Sequence, residues 1–217
     1  MSARLQPLPG ELPGVVRRIE GVEPRCYLTF DDGPDPQWTP QVLETLARSG
    51  VRATFFVVGR LAQRSAGLLR EIRAAGHVVG NHAFSHRHPW TLTRARARSE
   101  VRSGSDAIAQ ALGERPHWFR PPHGRLGAYL VEAAREEGQR VALWSVSAVD
   151  WGPLATPDRI RARLDEIRAG DIVLMHDGPL RHNRPDHTLQ VLPSLLAALL
   201  RDGPVPAPLP VVATMAA

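Results

Sequence analysis

Residues 26–36 read CYLTFDDGPDP. A run of strand length, apolar and aromatic, stops at two adjacent carboxylates, Asp31 and Asp32, and is followed by Gly33-Pro34. Asp-Gly-Pro by itself is ordinary turn chemistry. Two acids side by side nevertheless repel each other, and the pair costs free energy if both are buried and charged. Whether other strand ends carry comparable groups therefore bears on both the fold and the chemistry.

Working outward, short apolar runs recur as CYLTF (26–30), ATFFVV (53–58), HVVGN (77–81), HWFR (117–120), VALWSV (141–146), DIVLM (171–175) and PVVAT (210–214). Helical patterns lie between them. PQVLETLARSG (40–50) places Val42, Leu43 and Leu46 on one face, and AGLLREIRAAG (66–76) does the same with Leu68, Leu69 and Ile72. IRARLDEIRAG (160–170) spaces Ile160, Leu164 and Ile167 helically, and all three segments end in Gly. Leu92–Leu112 reads as a long arginine-rich surface helix, and Leu189–Leu200 as another in which Pro193 is tolerable only near the first turns. Strands that are apolar throughout, alternating with helices, predict a parallel sheet covered on both faces. Periodicity alone does not separate a closed barrel from an open sheet, but in either case functional residues gather at the C-terminal ends of the strands.

Composition narrows the class. The chain has 217 residues, 43% of them hydrophobic, which suits one domain with a sizeable core. The division expected is an N-terminal extension over 1–24 and a single domain over 25–217. The lone Cys26 excludes an internal disulfide and reads as a buried core thiol. All 27 basic residues are arginine, giving a net charge of +5. They are scattered and many have acidic neighbours, whereas a nucleic-acid binder clusters them on one face with stacking aromatics; no nucleic-acid partner is expected. No run is long enough to span a membrane. The start, MSARLQPLPGELPGVVRRIEG, has no apolar signal core. The chain as it stands is expected to be cytoplasmic, or extracytoplasmic if it is a piece of a longer protein, and monomeric.

The strand ends pass the test set by the first one. The first carries Asp31 and Asp32, the third is followed by NHAFSHRHP with His82, His86 and His88, and the fourth by FRPPHG with Arg120 and His123. The fifth leads into SAVDWG with Asp150 and Trp151, and the sixth into LMHDG with His176 and Asp177. His82 and His86, four apart, are a weak metal signal alone, strengthened by a carboxylate from a neighbouring strand end. Two imidazoles and one carboxylate leave coordination positions open, as catalytic rather than structural sites do. The doublet then has a physical rationale: one acid holds a cation while its neighbour stays free as a base. His176 could serve as general acid, and the set suits metal-assisted hydrolysis of an acyl bond.

The ordered motifs TFDDGP, HAFSH, RPPHG, DW and LMH resemble those of the polysaccharide deacetylases of carbohydrate esterase family 4, over about Tyr27 to Leu200. The resemblance implies an α/β fold, a distorted (β/α)7 barrel in one domain. It implies a divalent metal, usually zinc, with cobalt, manganese or nickel as alternatives, and hydrolysis of an acetyl group on a carbohydrate substrate. By that resemblance Asp31 is the general base, and Asp32, His82 and His86 are the metal ligands. Arg120 orients the base, Asp150 pairs with Arg120 and tunes the acid, and His176 protonates the leaving amine. Trp151 and Leu174 wall the acetyl pocket, and the backbone N–H of His123 supplies an oxyanion contact. Two positions depart from the family pattern: His123 stands where Tyr is usual, and Ser147 where an extra acid is common. His88 and Trp90 read first as loop packing and only second as substrate contacts, Asp177 is given no role, and Trp38 is the candidate for stacking on a sugar. Rival readings are a non-catalytic carbohydrate-binding barrel, a deacetylase of O-acetylated xylan or of a small N-acyl sugar conjugate, and an Fe(II) oxygenase, which would leave the doublet and His176 without work.

Overall fold

A computed structural model describes residues 14–21, 23–180 and 182–211. Nine strands make one sheet: β1 (Val15–Val16), β2 (Arg25–Asp31), β3 (Thr54–Val57), β4 (Val78–Asn81), β5 (Trp118–Phe119), β6 (Arg140–Ala142), β7 (Val146–Ser147), β8 (Ile172–His176) and β9 (Val205–Ala207). The helices are α1 (Thr39–Arg48), α2 (Gly59–Arg64), α3 (Ala66–Ala74), α4 (Arg94–Leu112), α5 (Ala128–Glu136), α6 (Pro157–Leu164) and α7 (Pro185–Asp202). Strand order is β1-β6-β5-β4-β3-β2-β8-β7, with β9 also on β2, and every pair of these strands is parallel.

The order explains how the sheet closes. β6 and β7 lie toward opposite ends of the strand path, yet only residues 143–145 separate them in sequence. Leu143 N–H donates to the Val16 carbonyl and Ser145 N–H to that of Ile172, so this short link bridges the two ends. The sheet is therefore curled into a distorted (β/α)7 barrel, the closed alternative of the two that periodicity left open. Phe30, Leu28, Phe55, Val57, Val173 and Met175 are buried on one face of the sheet against Leu46, Leu69, Ile72, Leu195 and Leu196 of the helices, and the alternate residues Tyr27, Phe56, Trp118 and Ile172 cluster separately.

Several sequence expectations shift. The run 141–146 is two strands, because its halves pair with different neighbours. The last strand is Val205–Ala207 rather than 210–214: Pro210 and Val211 are not strand, and 212–214 lie outside the described residues. Pro193 lies inside α7, eight residues after its start, and not in its first turns. α6 ends at Leu164, so Ile167 is buried from the following loop. Val15, Val16 and Ile19, in the segment expected to be an extension, are buried, and Val15–Val16 pair with β6. No helix among the described residues is long and apolar enough to cross a membrane.

Candidate active site

The C-terminal ends of the strands meet in a cleft of about 600 Å³ lined by Asp31, Asp32, His82, His86, His123, Trp151, Leu174 and His176, among others. Asp31 closes β2, and Asp32 follows it with φ 74°, a left-handed conformation that turns its carboxylate away from the strand direction. Gly178 is packed so closely beneath that a Cβ there would lie 2.1 Å from the Asp32 carbonyl oxygen. Asn81 ends β4 and delivers His82, while His86 sits in the following loop with φ 58°.

Asp32, His82 and His86 each offer one ligand atom, and these atoms lie within 4.8 Å of one another. His82 Nδ1 is 2.7 Å from the Arg120 carbonyl oxygen. A carbonyl only accepts, so Nδ1 carries the proton and donates, which leaves Nε2 to face the cluster. Nε2 of His82 and of His86 approach Asp32 Oδ1 to 3.4 and 3.0 Å. That oxygen is buried with no hydrogen-bond partner among the described residues. A carboxylate oxygen without a donor, converging with two imidazole nitrogens, fits a divalent cation in both charge and donor type. Burial opposes ionisation of Asp32, but the adjacent imidazoles of His82 and His86 outweigh it and hold the carboxyl well below the usual carboxylate range.

Two ion pairs flank the cluster. Arg120, fully buried, donates from one terminal nitrogen to Asp31 Oδ1 at 2.7 Å and to Thr29 Oγ1 at 2.7 Å. Its remaining nitrogens donate to the carbonyls of Ala142 and Leu143, and its guanidinium stacks 4.1 Å from the Phe56 ring centroid. The expected pairing of Asp150 with Arg120 is not formed, because the guanidinium is committed to these partners. Asp150 instead serves His176 and Thr188: Oδ1 accepts from His176 Nδ1 at 2.7 Å, and Oδ2 accepts from the His176 backbone N–H at 2.8 Å and from Thr188 Oγ1 at 2.6 Å. Burial disfavours the imidazolium, but Asp150, with Asp32 and Asp31 beyond it, raises the His176 pKa to about 9.

The predicted wall residues Trp151 and Leu174 both line the cleft, and Trp151 meets His176 edge-on at 5.4 Å. His123 also lines it, with φ 59° and its ring 4.6 Å from that of His86. Trp38 is not brought in: it precedes α1 as its N-terminal cap residue, half-buried, outside the lining. His88 lines the cleft and Trp90 is 75% exposed, so neither is simply packed into its loop.

Sequence reasoning missed two residues, Thr188 and Asn183, and left a third, Asp177, without a role. Thr188, from α7, holds Asp150. Asn183 lines the cleft and donates from Nδ2 to Asp32 Oδ2 at 2.7 Å and to the Gly178 carbonyl at 3.0 Å, leaving Oδ1 as the oxygen turned to the histidines. Asp177 lies buried against the Asp31–Gly33 turn, accepts from Thr39 Oγ1 at 2.5 Å, and has its pKa pushed up to about 7 chiefly by burial. Neither Thr188 nor Asn183 has a sequence spacing that marks it; both reach the site only through the fold.

Comparison with known proteins agrees with this geometry. The family model described as polysaccharide deacetylase matches residues 19–142. A peptidoglycan-N-acetylglucosamine deacetylase of Bacillus cereus is 33% identical over 178 residues, covering 81% of this chain and 82% of that protein. A chitooligosaccharide deacetylase of Bradyrhizobium is 36% identical over 193 residues, covering 85% of this chain and 88% of that one. A crystal structure of a peptidoglycan N-acetylglucosamine deacetylase superposes with TM-score 0.83 at 29% identity over 91% of each chain. A family match over more than half of its length, with relatives alike nearly end to end, shows that the chain belongs to the polysaccharide deacetylases of carbohydrate esterase family 4, a family of hydrolases.

Proposed function

We propose that this protein is a metal-dependent hydrolase that removes the N-acetyl group from N-acetylglucosamine-containing oligosaccharide or polysaccharide. The observation that carries the reading is the convergence of the Asp32, His82 and His86 ligand atoms between two buried ion pairs, Asp31–Arg120 and His176–Asp150. Zinc suits two imidazoles and a carboxylate with positions left open. When bound, the cation polarises the acetyl carbonyl and lowers the pKa of the attacking water.

The chain's own groups divide the proton work. Arg120 fixes Asp31 through Oδ1, which leaves Oδ2, 3.7 Å from His82 Nε2, turned toward the cluster to take the proton of the water. His176 donates through Nδ1 to Asp150, so its Nε2 faces the cleft, 3.9 Å from Asp32 Oδ2. With its pKa raised to about 9, His176 is an imidazolium at neutral pH and holds at Nε2 the proton that the departing amine needs. Trp151 and Leu174 exclude water around the acetyl methyl.

The test is acetate release from N-acetylglucosamine oligomers before chelation, after chelation, and after zinc is returned. Release that stops with chelator and resumes with zinc is expected. Tight oligomer binding with no release under any condition would instead establish a barrel that binds without turnover.

A further inference from the structure

His82 and His86 are carried on one tight loop, and the two rings are held differently. His82 donates from Nδ1 to the Arg120 carbonyl, which fixes its ring. His86 has no such partner at Nδ1 among the described residues: its side chain meets Asp32 Oδ1 at 3.0 Å and the rings of His82 and His123. His86 also makes no backbone hydrogen bond with a described residue. Its φ of 58°, like that of 61° at Ala83, lies in the left-handed region, where a residue other than glycine stays only if its surroundings fix it. The place of the His86 ring is therefore set by the chain on either side of it.

On the N-terminal side the loop is anchored residue by residue. His82 N–H donates to the Val57 carbonyl, and the N–H groups of Gly59 and Arg60, which open α2, donate to the carbonyls of Ala83 and Phe84. Ser85, directly before His86, is anchored to a side chain instead. Its N–H donates to Glu100 Oε2 at 2.8 Å and its hydroxyl to Glu100 Oε1 at 2.5 Å. Beyond His86 the next anchored group is the His88 carbonyl, which accepts from Thr91. Glu100 is thus the last hold on the chain before His86.

α4 presents Glu100 from a fixed position. Asn81, which ends β4 and precedes His82, donates from Nδ2 at 2.9 Å to the carbonyl of Val101, the residue after Glu100. One turn further along α4, Gly104 meets α2 so closely that a Cβ on Gly59 would lie 2.8 Å from the Gly104 Cα. The neighbouring arginines of α4, Arg98 and Arg102, pair with Glu136 and Glu137 beyond the helix and not with Glu100. Among the described residues the hydrogen-bond donors to the Glu100 carboxylate are both on Ser85.

Resting on the metal-dependent reading, we propose that Glu100 is a positioning residue for the metal: through Ser85 it sets the place of His86, and with it the affinity and ligand geometry of the site. It does the work for His86 that the Arg120 carbonyl does for His82, by way of the backbone and not of the ring.

The test is zinc affinity of the full chain, measured by competition with a chromophoric chelator, which needs no turnover. Glu100→Gln keeps the size of the side chain but can accept only one of the two Ser85 donors, and is expected to weaken zinc by about 10- to 100-fold. Ser85→Ala removes one donor and is expected to weaken it by roughly three- to tenfold, the scale of one hydrogen bond; it also carries the test if Glu100→Gln fails to fold. The double variant is expected to weaken zinc by less than the product of the two, because both act on one contact. Glu136→Gln breaks a salt bridge to Arg98 on the same helix and is expected to leave zinc affinity as in the parent. The visible bands of the cobalt(II) protein, which report ligand geometry, are expected to change in Glu100→Gln and not in Glu136→Gln. Unchanged zinc affinity in both Glu100→Gln and Ser85→Ala, full additivity of the two, or an equal loss in Glu136→Gln overturns the proposal. A parent chain that binds no zinc would overturn the metal reading itself, and absent acetate release alongside this graded zinc binding would overturn the deacetylase reading alone.

Discussion

Asp150 governs the protonation of His176 and not the substrate directly. Its carboxylate takes three donors from His176 and Thr188, and its charge keeps His176 protonated to a pKa of about 9 despite burial. The active form of a general acid is the protonated one, so kcat/KM is expected to fall as pH rises through the His176 pKa. Asp150→Asn removes the charge that raises that pKa, and the alkaline limb of the pH–rate profile is expected to move to lower pH. Thr188→Val is expected to shift it the same way by less. An unmoved limb in Asp150→Asn would mean that His176 is not the acid. Asn183 is expected to matter through the metal: Asn183→Ala frees Asp32 Oδ2 from its donor and is expected to weaken zinc binding by about 10- to 100-fold, as loss of a partner behind a ligand generally does. Zinc titration with a competing chelator measures it.

At the scale of elements, the strand ends were legible because five of the seven apolar runs lead into titratable residues, and a parallel sheet brings such ends to one side. Asp31, Asp32, His82, His86, Arg120, Asp150 and His176 all converge as that rule requires. What was not legible depends on three-dimensional closure. Nothing in VALWSV announces that its two halves pair with opposite ends of the sheet, and nothing in RHNRPDH distinguishes Asn183 from its neighbours. Trp38 looked well placed by its nearness in sequence to the doublet, but as the residue that precedes α1 it lies outside the lining. α5 was not anticipated, although Leu130, Val131 and Ala134 fall at helical spacing on its buried face. Packing between elements also supports the site. Gly104 of α4 lies so close to the end of β4 that a Cβ there would be 2.3 Å from Asn81 Oδ1 and 3.0 Å from the Ala83 carbonyl carbon. Gly104→Ala is expected to cost about 1–3 kcal/mol in a denaturant titration through overpacking, and to weaken zinc binding because His82 lies between those two contacts. A variant as stable as the parent would show that α4 can move away freely.

For the whole molecule, curling of the sheet buries several carboxylates, Asp31, Asp32, Asp150 and Asp177 among them, and stability must register their charge. Asp177 is the clearest case. Burial, with Asp32 and Asp31 nearby, raises its pKa from 3.8 to about 7. A folded-state pKa above the unfolded value means that the stability from its protonated form is fully present below about pH 4 and is lost as pH rises through 7. Asp177→Asn keeps the shape and removes the titration, so the difference in Tm between variant and parent is expected to move in the variant's favour between pH 6 and pH 8. A constant difference would place the Asp177 pKa elsewhere. The same curling divides the doublet, with Asp31 turned to Arg120 and Asp32 to the two histidines. That division is tested most directly by measuring zinc content and acetate release side by side in Asp31→Asn and Asp32→Asn. The account predicts that Asp31→Asn binds one zinc per chain with turnover reduced by at least 100-fold, and that Asp32→Asn loses both metal and turnover. Loss of zinc from Asp31→Asn, or near-normal turnover in it, would contradict the assignment of base and ligand to the two acids.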